Sequence, residues 1–236
     1  MQWQAAVDAV IHHPLFGVAI TLAAFQLAYA AYERTRWVFL QPVLVSMLVV
    51  IGILLLCGIG YDEYRGSAQM LTVLLGPATV ALAVPLYLNL RRIRELFGPI
   101  MLTLLIAGSA ATALGMALAW AFGTQPMMLM TLAPKSVTSP IAMLVADQIG
   151  GIVALAAVFV MITGILGAIV GPELLRRFGV QHPAARGMAL GLTAHAVGTS
   201  QALQESDECG AFAALAMSLM GVLTAVLLPL AVLLLS

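Results

Sequence analysis

Charge is scarce in this sequence. Of 236 residues only 8% are Asp, Glu, Lys or Arg, and the formal net charge is zero, where a soluble domain carries about 25% charged residues. With no basic excess, nucleic-acid binding has no electrostatic support, and no polybasic cluster argues for recognition of anionic lipid. Cysteine is scarce too. Cys57 and Cys209 stand alone, without a CxxC pair or metal-ligand spacing, so both read as packing residues. His12 and His13, at the mouth of the first apolar run, read as interfacial, and neither a metal nor a cofactor is expected. The chain has no GxSxG elbow and no HExxH pair, which argues against an enzyme even though Ser139, His195 and Asp147 are all present. No Lys or Arg precedes the first apolar run, where Asp8 stands instead, so no cleavable signal is expected.

What is abundant is apolar. Hydrophobic residues make up 62% of the chain and mean hydropathy is +1.06. The expected fold class is all-α: a polytopic membrane protein with about seven or eight helical segments of roughly 20 residues, some broken or re-entrant. One membrane domain over residues 1–236 is expected, with N-terminal helices in 1–122 and the site-bearing helices in 123–236. Met1–His13 reads as an amphipathic lead-in. Spans are expected at Leu15–Tyr32, Pro42–Tyr61, Ser67–Leu90, Gly98–Phe122, Gly150–Pro172 and Ala211–Leu235. The lipid bilayer is the obligatory partner.

Leu132–Ala142, LAPKSVTSPIA, interrupts an apolar run with one lysine, three hydroxyls and two prolines. A charge at the centre of a lipid-facing helix costs about 2.5–3.5 kcal/mol on insertion scales. Pro134 and Pro140 each remove a backbone donor, and freed backbone groups at membrane depth require protein or a water-lined cavity. Lys135, Ser136, Thr138 and Ser139 are therefore expected to face a polar interior as half of a solute site; a polar loop between helices is the plainer alternative. Pro77 and Pro85 are expected to break LGPATVALAVP in the same manner, which suggests an internal duplication. Between Ala184 and Leu203, Gly187, Gly191, His195 and Thr199 recur every four positions and share one helix face. Gly198 is the expected point of unwinding. Asp147 either pairs with Lys135 or lies at the interface, and Arg186 reads as a loop anchor.

Basic turns at Arg34–Arg36, Arg91–Arg94 and Arg176–Arg186 are all expected to be cytoplasmic, with the N-terminus outside. The third fits only if an even number of crossings separates it from the second. Pro126–Ile149 then enters and leaves from one face; a full crossing would leave the third turn against the rule.

KSVTSPIA at Lys135–Ala142, GPELLRRF at Gly171–Phe178, ARGMALGLTAHAVGT at Ala185–Thr199 and GAFAALAM at Gly210–Met217 together resemble the LrgB (CidB/LrgB) family of bacterial inner-membrane proteins. The resemblance covers essentially the whole chain. It implies one of two functions. The first is transport of small monocarboxylates such as glycolate, glycerate, pyruvate or lactate, because plastid relatives move glycolate and glycerate. The second is antiholin-like control of murein hydrolase activity and autolysis beside a small LrgA-type membrane partner. Three departures from the family pattern stand out: Ser139 where a threonine is usual, Ala194 where a serine is usual, and Gln201 where a basic residue is frequent.

For a carboxylate, Lys135 offers the charge, and Ser136, Thr138, Ser139, Thr199, Ser200 and Gln201 offer donors. His195 either carries a coupling proton, its ordinary pKa being about 6.5, or is a structural histidine bonded to a carbonyl. A homodimer is the expected assembly.

Overall fold

The computed structural model describes residues 10–35, 37, 40–81 and 83–235; Met1–Ala9 of the lead-in and Arg36 of the first basic turn lie outside them. The described chain divides into two compact units, one up to Ala83 and one from Val84. It contains twelve α-helices, more than the seven or eight expected, because bends and turns cut several segments into shorter helices. The large apolar side chains of the long helices face outward. On the fourth expected span Leu102, Ile106, Leu114 and Leu118 are all exposed, which suits lipid as the solvent and not water.

In the first unit, α1 (Phe16–Thr35) is long and apolar enough to cross a membrane. Helix α2 (Pro42–Cys57) starts with Pro42 in its first turn and with the Gln41 side chain accepting from Leu44 N at 2.7 Å. It stops at Gly58, whose φ of 68° is the left-handed cap that glycine supplies without strain. Helix α3 (Tyr61–Ser67) leaves α2 at 116° and is tied to α1 by the Thr21 and Tyr64 hydroxyls at 2.8 Å. Helix α4 (Gln69–Ala81) runs straight through Pro77. Past the boundary, in the second unit, Pro85 falls in the first turn of α5 (Ala83–Leu88), where a missing N–H costs little. Neither proline therefore breaks a helix where the sequence places the break.

The second unit carries α6 (Leu90–Glu95), α7 (Phe97–Ala121), α8 (Pro126–Leu132), α9 (Ser139–Gln148), α10 (Val153–Arg177), α11 (Pro183–Glu205) and α12 (Asp207–Leu235). Helices α7, α10 and α12 are each long and apolar enough to cross. Helices α8 and α9, of seven and ten residues, reach only about 10 and 15 Å, against a hydrocarbon core of about 30 Å. The Thr131 hydroxyl accepts from Ile152 N at 2.8 Å, 21 residues onward, so the chain between them makes no net crossing. Gly151 packs so closely on Thr131 that a Cβ there would sit 2.9 Å from its backbone nitrogen. Pro126–Ile149 is thus a re-entrant hairpin.

Helix α11 is a second hairpin, where the sequence suggested one continuous helical face. His195 has φ 43° and ψ −128° in its middle. Arg186, near one end, binds Glu205, at the other, through Nε–Oε2 at 2.7 Å and Nη2–Oε1 at 2.9 Å. A straight helix would hold positions 19 apart about 28 Å from each other.

One cluster fixes the topology. Arg92, before α7, pairs with Glu208 at the start of α12 at 2.8 Å and meets His182, before α11, at 3.1 Å. The second and third basic turns therefore share a face, with α7 and α10 as the two crossings between them. The α8–α9 hairpin dips in from the far face and α11 from the basic face. Each hairpin is followed by a crossing helix of opposite direction, which makes an inverted-topology pair. The elements so paired are α8–α10 and α11–α12.

Arg186 and Glu205 are mostly buried, with 16% and 22% of their side chains exposed. Removing either charge leaves the other without its partner. Arg186→Ala and Glu205→Ala should each lower stability by about 2–3 kcal/mol, and the exchange Arg186→Glu with Glu205→Arg should restore part of it, as read by thermal unfolding in micelles.

Candidate functional site

The two hairpin tips carry the polar residues of interest. At the first tip, α8 ends at Leu132, and turns run from Ala133 to the extended Thr138, which precedes α9. Pro134 lies in those turns and is fully buried; Pro140 lies in the first turn of α9, where proline starts a helix well. Lys135 is half-buried. Its Nζ donates to Ser136 Oγ at 3.3 Å, and it makes no ion pair among the described residues. Its stem crosses α7 at Gly115, where an added Cβ would stand 2.8 Å from Lys135 Cε and 3.6 Å from Nζ. Gly115 lies six residues before the end of α7, roughly 9 Å inward along the helix. The ammonium is therefore held within the protein and away from the end of the helix. Ser136 is 4% exposed, whereas Thr138 and Ser139 are half-buried.

At the second tip, His195 is 3% exposed and its Nε2 lies 2.9 Å from Val160 O on α10. A carbonyl only accepts, so Nε2 carries the hydrogen and Nδ1 keeps its lone pair. The imidazole fits because α10 offers Gly164 beneath it: a Cβ there would stand 2.6 Å from Nε2. Gly167 does the same for Ala194, at 2.7 Å from its Cβ. His195 thus sits near mid-depth, 11 residues or about 17 Å along α10 from Val153 to Gly164. A positive φ in a residue with a side chain costs about 1–3 kcal/mol and persists only where the surroundings enforce it.

The enforcing contacts are local. Thr199 donates its hydroxyl to His195 O at 2.8 Å, which commits it to holding the bend. Gly198 is not the bend. It lets the returning arm press on Leu190 and Ala194. Gly187 and Gly191 bring the first arm against the Cys209 and Ala213 carbonyls of α12. Ser200 is exposed and Gln201 half-buried on the returning arm. Asp147 is exposed. Val137 from the first tip, Val160 from beneath His195, and Leu192 from the second hairpin belong to one buried apolar cluster with Phe212 and Met220, so one core supports both tips.

The sequence reading missed Gly115, Gly164 and Val160 as supports of the tips, and Thr131 and Glu205 as their closures. In the sequence, Gly108, Thr112, Gly115 and Ala119, and likewise Gly164, Gly167 and Gly171, place small residues along one helix face, a signal of close helix contact; nothing in it marks Thr131 or pairs Arg186 with Glu205.

Because His195 occupies a backbone conformation that glycine tolerates, His195→Gly should be more stable than His195→Ala by about 1 kcal/mol, reversing the order normal within helices; thermal unfolding of the two purified variants checks this.

The LrgB-like family model matches residues 21–234. A protein of Bacillus subtilis, "Uncharacterized protein YwbG", is 37% identical over 208 residues, covering 87% of this chain and 91% of its own. An "Uncharacterized protein" of Haemophilus influenzae is 35% identical over 210 residues, covering 89% and 91%. The "Antiholin-like protein LrgB" of Bacillus mycoides is 28% identical over 217 residues, covering 92% and 94%. No solved structure matches. On a family match over nearly its whole length and relatives above 30% identity, the chain belongs to the LrgB-like family.

Proposed function

We propose that the protein is a secondary transporter of small monocarboxylates, of the size of glycolate, glycerate, pyruvate or lactate, in a bacterial inner membrane. The observation that carries this reading is the pair of re-entrant hairpins entering from opposite faces, with Lys135 on one tip and His195 on the other. Broken elements at mid-depth are how carriers bind ions and small solutes. A carboxylate needs a cation or donors where water is excluded. Lys135 supplies an ammonium without a carboxylate partner among the described residues, with Ser136, Thr138 and Ser139 beside it. Exposed Ser200 and half-buried Gln201 are the donors of the second hairpin; Thr199 supports the bend and is not a ligand. His195 takes a proton at Nδ1 while Nε2 stays on Val160 O, which gives proton coupling a concrete atom.

A second reading rests on the printed name of several relatives, antiholin-like protein LrgB. In it the chain regulates murein hydrolase activity by assembling with a small LrgA-type membrane protein, and a homodimer is compatible with either role. Uptake of labelled glycolate, pyruvate or lactate into liposomes holding the purified chain, alone and with such a partner, separates the two. No flux under any condition favours the regulator.

Lys135→Ala should reduce uptake at least tenfold with normal membrane insertion; full uptake by that variant removes the proposed anion ligand. His195→Gln, which keeps a donor toward Val160 O, should flatten the dependence of uptake on pH, as read by uptake across a pH series.

A further inference from the structure

Between α7 and α12 lies a groove of about 590 Å³. Its walls are apolar, with Met116, Met130 and Met220 among them, and it carries the hydroxyls of Ser109, Thr112 and Thr224. Those three hydroxyls make no hydrogen bond among the described residues. Thr131, Thr193 and Ser218, by contrast, each bond back to the carbonyl four residues earlier. Thr224 is only 6% exposed, so its unengaged hydroxyl lies at a depth where hydrogen-bonding groups normally find partners.

The groove leads toward the first hairpin tip. Gly108 and Gly115 are seven residues apart and so lie on nearly the same face of α7. Met220 fills the notch at Gly108, and the Lys135 stem fills the notch at Gly115. Met116 and Met130 line the groove and also pack against the buried cluster of Ala133, Val145 and Ile149. Lys135 is not itself on the groove wall; its stem crosses α7 at Gly115, next to Met116 and one turn from Thr112 of the wall, and it has no carboxylate partner among the described residues.

We infer that this groove is the tail-binding part of the carboxylate site: it takes the hydrocarbon chain of an amphipathic monocarboxylate whose head group reaches Lys135. The inference rests on the carboxylate reading proposed above and extends the substrate class to acids of about four to eight carbons. Charge complementarity at the Lys135 end favours a free acid over the acyl chain of a bilayer lipid, whose head group would stay at the interface.

The test is displacement of labelled octanoate from the purified full chain in lipid nanodiscs by unlabelled straight-chain acids from acetate to decanoate. Potency should rise by roughly twofold or more for each methylene from four to eight carbons. Ala113 is exposed on the groove wall, so Ala113→Phe fills the space without disturbing the core. That variant should lose at least tenfold in octanoate affinity and leave acetate and propionate unchanged. Partition into the same nanodiscs is common to both proteins and cancels. Equal chain-length dependence in wild type and Ala113→Phe overturns the inference and leaves the small-carboxylate reading standing. So does a spin-labelled phosphatidylcholine that stays in the groove at saturating octanoate, which would assign the groove to bilayer lipid. Lys135→Ala that binds every acid as wild type does sinks the underlying carboxylate site itself.

Discussion

The bond from Ile152 N to Thr131 and the ion pair between Arg186 and Glu205 have the same effect at opposite faces of the second unit. Each brings together the ends of a segment that would otherwise run on across the bilayer. Hydrocarbon offers no partner to a backbone that leaves its helix, so a bend at depth survives only inside protein. The second unit supplies that shelter with α7, α10 and α12, and the bends place polar groups where a straight helix would have presented only side chains to lipid. Lys135 and His195 are internal because the chain turns back beneath them.

Packing in this unit is set by glycines. Gly115 leaves room for a lysine stem, Gly164 for an imidazole, Gly187 and Gly191 for the carbonyls of α12. At each place a missing Cβ lets a neighbour approach by the width of a methyl group. Helices in lipid gain little from burying apolar surface against each other, because lipid is as apolar as they are, and close backbone approach supplies the dispersion contact instead. The strained φ of His195 is held by the same contacts, with Val160 O fixing the ring and Thr199 fixing the carbonyl.

Much of this was legible beforehand. Hydropathy located the long helices, and the cost of a buried lysine between two prolines identified the first tip. The rule that basic turns share a face leaves Pro126–Ile149 either re-entrant or an exception to the rule, and the Thr131–Ile152 closure agrees with the re-entrant alternative. The second hairpin was not legible. Its bend falls on a histidine flanked by alanines within a regular four-residue repeat, and helical periodicity continues on either side. What bends it is tertiary: Val160 O, the space above Gly164, and a clasp between residues 19 apart. Pro77 misled for the converse reason. A proline removes one bond and crowds the carbonyl four residues back, which can kink a helix without ending it, and nearby hydroxyls give the freed backbone an alternative partner. Lys135, Ser136 and Thr138 stand beside Pro134, and only apolar neighbours and Thr79 stand near Pro77.

The opposed directions of the two hairpins carry a dynamic consequence. In the transport reading proposed above, an exchange of shape between the two hairpins would open the site to the other side of the bilayer.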